Sequence, residues 1–352
     1  MNEEKTGLNK NQRIYKWDNL KFVLILLVVT GHFISGFTEK SDTANRLFLI
    51  IYTFHMPLFI FIAGLFSKSA INKGRLKIER VYMFLLIYLL LTAVTYFIKL
   101  LLGTNENIDL LGTYHVQWYM FAMASFLSVM YLLRHLPPYA VMIFSVLLAC
   151  LSGYDKNIGN LFCLSKIISF FPFFAAGYYL DANKLLHFLQ RRKVRVASVA
   201  VLVGFVVIVS VFIKQYSDNF RPLLIVSSPQ LYGKLPHPQL GAAVRLAYYV
   251  LCSIVSISFM SLVPRRKTFY SEMGTRTLAV YFWHVPMQML FFSTGLSDLI
   301  KSVIPLPWVL VLILTSVILT LILSLPIFSK PFESLVNMKL RKIPGEELNE
   351  KE

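Results

Sequence analysis

The feature that most restricts this chain is a succession of apolar windows near residues 20–37, 46–66, 81–102, 116–133, 138–152, 168–180, 195–213, 241–263, 276–295 and 306–328. Most approach the roughly 20 residues that a helix needs to cross a bilayer. The window at 168–180 is short and the one at 276–295 carries a proline. In hydrocarbon a backbone must satisfy its own N–H and C=O groups, so repeated windows of this length select helices. Composition agrees: 56% of the 352 residues are hydrophobic and only 15% are charged. That balance excludes the pair of soluble domains that the length would otherwise suggest. The expected fold is all-α, a polytopic integral membrane helical bundle of about ten transmembrane helices. Residues 17–330 form its transmembrane domain, between a cytoplasmic N-terminal segment at 1–16 and a cytoplasmic tail at 331–352.

A net charge of +17 invites a nucleic-acid reading until the basic residues are sorted by side of the membrane. With ten spans and both termini in the cytoplasm, inner segments hold 25 of the 35 Lys and Arg residues, as the positive-inside rule requires. Topology accounts for the charge, and no nucleic-acid partner is expected. The polar first twenty residues contain no cleavable leader, so the first span is expected to act as the signal for a multi-pass plasma-membrane protein. Cys150, Cys163 and Cys252 show no paired spacing and read as structural filler, with no metal site and no disulfide.

Within this frame two ionisable residues stand out. Eleven steps separate Lys21 from His32, about three turns plus roughly 20°, so the two share a helix face about 16 Å apart along the axis. Ionisable groups in apolar spans are costly and mark sites more often than packing. His55, His115 and His284 also sit in or beside apolar windows. Each is either a satisfied core imidazole or a base able to take a proton from a hydroxyl near pH 7. Carboxylates are nearly absent from the windows, which argues against a proton-coupled transporter built on buried acids. Pro57 and Pro286 follow their histidines by two residues and are expected to bend those helices and free carbonyls near the rings. Gly64 reads as a place of close helix approach. Trp118 and Tyr119, near His115, are either interfacial aromatics or a wall for a sugar ring. The inner stretch 67–80 is strongly basic; it anchors topology, or Lys73, Arg75, Lys77 and Arg80 hold a phosphorylated ligand. The connection from Lys214 to Leu240 holds four prolines and is expected to be helix-free, either a lid or a plain connector.

The run WDNLKF, nine residues and then GH, followed by FHMPLFIFIAGLF, a basic loop ending in LKIER, QWYMF and the late YFWHVP, resembles the membrane-bound acyltransferase-3 family over about residues 14–330. Within it the chain is similar to the fucose-4-O-acetylase-like carbohydrate O-acetyltransferases. The resemblance implies transfer of an acetyl group from cytoplasmic acetyl-CoA to a hydroxyl of a cell-surface or lipid-linked carbohydrate. It makes His32 essential for transfer, as the base that deprotonates the acceptor hydroxyl or as the carrier of the acetyl group. Beside it, His55, His284 or a backbone amide freed by a kink would stabilise the developing oxyanion, and His115, Trp118 and Tyr119 would meet the sugar. It assigns the acyl-CoA to Lys77 and Arg80, and the basic inner face adds Lys21, with Lys73 and Arg75 beside them, as further partners for the CoA phosphates. Lys77 stands where the family has the first Arg of Arg-x-x-Arg and keeps its charge without the fork. Asp18, three residues before Lys21, reads as its ion partner. An extended pantetheine arm is comparable in length to the rise from Lys21 to His32, so the thioester would reach the imidazole from the cytoplasm. The other reading of the same bundle is a transporter or flippase of a lipid-linked sugar or small amphiphile. The sequence leaves homo-oligomerisation open, and lipid is the surrounding partner in every case.

Overall fold

The computed structural model describes residues 14–72, 74–103, 116–155, 157–158, 162–226, 231–303 and 306–336. In chain order the helices are α1 (Tyr15–Ser35), α2 (Asp42–Leu65), α3 (Ile78–Leu101), α4 (Trp118–Leu132), α5 (Pro138–Ser152), α6 (Leu164–Tyr179) and α7 (Ala182–Leu189). They continue as α8 (Arg192–Val211), α9 (Ile213–Ile225), α10 (Gly241–Leu262), α11 (Thr277–Ser293), α12 (Leu296–Val303), α13 (Trp308–Leu323) and α14 (Pro326–Val336). A two-stranded hairpin, β1 (Ile71–Asn72) against β2 (Arg75–Leu76), occupies the basic stretch between α2 and α3, turning at Gly74 with φ +74°.

Every apolar window falls on a helix, and among the described residues five helices are long and apolar enough to cross a membrane: α1, α2, α3, α8 and α10 with the turn before it. A sixth candidate joins α13 to α14 through a 57° bend. The helices α4, α5, α6 and α11 have 15–17 residues. At the helical rise each is about 22–26 Å long, shorter than the hydrocarbon core of about 30 Å, so length alone does not give ten spans. The outer faces bear the membrane signature. Val196, Val199, Val203 and Val207 line an exposed stripe on α8, while Asn19, Thr53 and His284 are buried inside, the reverse of a water-facing surface.

The centre of the bundle is α1 and α2, an antiparallel pair. Trp17 at the start of α1 meets Phe66 after the end of α2, ring centroids 5.8 Å apart. On its other sides α1 packs against α11 and α13, where Thr30 and Ser316 share a hydroxyl bond of 2.8 Å. A close crossing joins α2 to α6. Gly64 lies against the backbone of Phe174 and Tyr178, and Gly177 lies against the backbone of Phe61 and Leu65, so neither position has room for a Cβ. The close approach expected at Gly64 is thus reciprocal.

The bundle has two distinct ends. At the hairpin end, Lys16 donates to the Val263 carbonyl at 2.7 Å and Asn19 to those of Pro264 and Arg266, tying α1 to the segment after α10. At the opposite end stands α9, in a stretch expected to be helix-free. Pro222 is tolerated because it removes only one backbone bond near the last turn. The helix stops at Val226, whose backbone is left-handed with φ +48°, a common way for a helix to end. Tyr216 of α9 bonds the Thr53 hydroxyl of α2 at 2.6 Å, fixing α9 across that end of the bundle.

Candidate active site

One face of α1 lines a cavity of about 540 Å³ with Ile25, Val28, His32 and Ser35. At about 100° per residue these four form one stripe, and a further turn toward the N-terminus brings the same stripe to Lys21. The cavity wall is completed by Phe48, Tyr52, His55 and Phe59 on α2, Tyr281 and Gln288 on α11, Trp118 and Tyr119 on α4, and Lys166 and Phe170 on α6. Lys99 near the end of α3 and Arg221, Leu224 and Ile225 of α9 lie toward its far end. The cavity therefore lies toward the α9 end, away from the β hairpin.

Close packing positions His32. A Cβ at Gly31 would come within 2.9 Å of the Tyr52 ring, so the glycine lets that ring lie against α1 beside the histidine. Tyr52 stacks on Phe48 at 3.8 Å and meets the His55 ring edge-on at 4.7 Å. From α11, Gln288 donates to the His32 carbonyl at 2.7 Å, and the ring of His284 lies 5.3 Å from the ring of His32, centroid to centroid.

Two of the three histidines have a readable tautomer. His55 Nδ1 lies 2.8 Å from the Ile51 carbonyl, and His284 Nδ1 lies 3.0 and 2.7 Å from the carbonyls of Val280 and Tyr281. A carbonyl only accepts, so in both rings the proton is on Nδ1 and a neutral Nε2 offers a lone pair. His284 Nε2 is buried with no hydrogen-bond partner among the described residues. Neutral, neither ring donates from Nε2, so stabilisation of an oxyanion is not open to that nitrogen; accepting a proton or a hydroxyl is. The carbonyls that hold the rings are not those that the prolines free. Pro57 leaves the Thr53 carbonyl without its helical donor. The Tyr248 hydroxyl of α10 takes that place at 3.2 Å.

The structure gathers His32, His55, His284, Trp118 and Tyr119 around one cavity, with His284 behind His32 rather than on the wall. Trp118 is stacked on Phe170 at 5.4 Å, with the Lys166 ammonium 5.1 Å from its ring centre. Tyr119 packs against Phe59 and Tyr281, and the Tyr281 hydroxyl donates to the Val116 carbonyl. His115 and Lys73 lie outside the described residues.

The cationic candidates are elsewhere. Lys21 is bonded to Asp18 at 2.9 Å at the hairpin end of α1. Arg75 on β2, Lys77 at the N-cap of α3 and Arg80 in its first turn are exposed at that same end, and none of them is on the cavity wall. The cations that do line the cavity, Lys99, Lys166 and Arg221, were not among the sequence candidates. Their signal was their position in segments assigned to the side poor in Lys and Arg, where topology gives them no purpose. Among the described residues no group of three or more His, Cys, Asp or Glu is placed to hold a metal ion.

The acyltransferase-3 family model, described as an acyltransferase domain, matches residues 14–325. The nodulation protein NolL of Mesorhizobium japonicum is 32% identical over 127 residues, which cover 32% of this chain and 34% of that protein. The chain thus spans about a third of the length of this relative. No solved structure matches. The family match runs from the residue before α1 to just past the end of α13, through every helix that builds the cavity, and the chain belongs to the acyltransferase-3 family.

Proposed function

We propose that the protein is a membrane O-acyltransferase that moves an acetyl group from acetyl-CoA to a hydroxyl of a cell-surface or lipid-linked carbohydrate, with His32 as general base. The observation that carries this reading is the placement of His32 on a cavity wall, on a helix stripe that leads back to Lys21, in a chain of this family. His32 takes the proton of the acceptor hydroxyl, the hydroxyl oxygen attacks the thioester carbonyl, and the departing thiolate receives the proton back from His32. The products are the O-acetyl sugar and free CoA, with no net proton change. His284, its ring packed 5.3 Å behind, limits how the His32 ring can turn, while the Nε2 of His55 is available to accept from the acceptor hydroxyl.

Arg75, Lys77, Arg80 and Lys21 fit the donor by chemistry: cations at one end of the molecule, three of them exposed and suited to phosphate oxygens. In this reading the hairpin end is cytoplasmic, the protein sits in the plasma membrane with both termini inside, and the acetyl group travels along α1 to an acceptor that enters from the α9 end. The carbohydrate branch named by the sequence resemblance supplies the acceptor class.

The test is His32→Ala in purified protein and in cells. CoA binding, read as thermal stabilisation in detergent, is expected to persist while acetyl transfer and the acetyl content of the surface glycan fall by about 10²-fold or more. Normal acetylation in that variant removes His32 from the mechanism. If neither CoA nor acetyl-CoA stabilises the wild-type protein, the transporter reading takes over.

A further inference from the structure

Neutral sugar rings are held by hydroxyl-matching groups and aromatic faces; converging cations select charge. Three cationic side chains from three different helices line this cavity, Lys99, Lys166 and Arg221. They lie at the end of the bundle that is otherwise poor in Lys and Arg, so the positive-inside rule works against their presence there.

Arg221 is the best defined. Its Nη1 donates to Asn45 Oδ1 and its Nη2 to Thr38 Oγ1, both at 2.9 Å, and the guanidinium lies 5.1 Å from the Phe48 ring centre. Both acceptors are neutral, so these two bonds orient the charge without neutralising it; Asp218, one turn earlier on α9, lines a neighbouring cavity together with Arg221. A guanidinium has five N–H donors, and these two bonds fix its plane before any ligand arrives. Lys166 is 7% exposed, beside the indole of Trp118, one of the aromatic residues read as a sugar wall. An aromatic platform next to fixed cations matches a sugar that bears an anionic substituent.

We propose that the α9 end of the cavity seats an anionic group of the acceptor, a phosphate or a carboxylate carried by the carbohydrate, and that Arg221 and Lys166 hold it. This rests on the acyl-transfer reading only in naming the ligand as the acceptor.

The experiment measures binding to the full chain in nanodiscs with no acyl donor present. The probes are N-acetylglucosamine 1-phosphate, glucuronic acid and neutral methyl glucoside, each at low and high ionic strength. At least one anionic sugar is expected to bind about tenfold or more tightly than the neutral one, with an advantage that shrinks in high salt. Which of the two binds distinguishes phosphate from carboxylate. Arg221→Gln is expected to erase that advantage and leave the neutral sugar within about twofold, and Arg221→Lys to restore part of it. Arg221 also fastens α9 to α2 and to the turn after α1, so Lys166→Gln carries the same comparison if the first variant does not fold. Equal binding of neutral and anionic sugars, binding of neither anionic sugar, or a loss confined to CoA affinity in these variants overturns the proposal. Because turnover is not read, failure here leaves acyl transfer to a neutral acceptor standing, and failure of the His32 test leaves the anion seat standing.

Discussion

At the scale of single residues, the chemistry is set by which backbone carbonyls take the imidazole protons. His284 spends its only neutral N–H on Val280 and Tyr281, which leaves a buried lone pair beside the His32 ring. Under the acyl-transfer reading it positions His32 and does not touch substrate. His284→Gln keeps bulk and a donor but loses that nitrogen; kcat is expected to fall about 10- to 100-fold, less than the loss of a general base, with KM for acetyl-CoA within about twofold. Steady-state kinetics in detergent decide this, and an equal rise in KM would mean that the residue only supports the cavity. The shared face of Lys21 and His32 was legible because helical periodicity is local. The His32–His284 contact was not, since it joins residues far apart in sequence through the packing of α11 on α1. Arg221 was hidden for a similar reason: in sequence it is a lone basic residue in a connection, and its meaning comes from Asn45 and Thr38.

At the scale of elements, the crossing of α2 with α6 holds one wall of the cavity against the next. Gly64→Ala places a methyl group against the Phe174 carbonyl, and Gly177→Ala repeats the collision on the Phe61 carbonyl. Backbone cannot retreat as a side-chain tip does, so each variant is expected to lose about 3 kcal/mol or more and to yield little monodisperse protein; thermal melting in detergent checks this. Melting temperatures near that of the wild type would show that the helices can part without harm. The apolar windows foretold where the helices lie because burial in lipid leaves a long, contiguous trace in sequence. They did not foretell α9, whose polar and apolar residues alternate with helical period in a stretch that Pro222 marks as broken, nor the hairpin that brings Arg75 opposite Asn72.

At the scale of the whole molecule, the exposed cations of the hairpin and the cavity occupy different ends, joined by α1. If donor phosphates rest at the hairpin end, Arg80→Ala is expected to weaken CoA affinity about tenfold while acceptor affinity stays unchanged. Isothermal titration with CoA and desulfo-CoA reads this, and an unchanged Kd would leave the hairpin a topology anchor only. The fold also carries its own optical probe. Of the four tryptophans, Trp118 alone lies on the cavity wall, stacked on Phe170 with an ammonium group near its ring. Any molecule that enters must alter the polarity around that indole, so occupancy is open to continuous recording by intrinsic fluorescence, without label, donor or turnover.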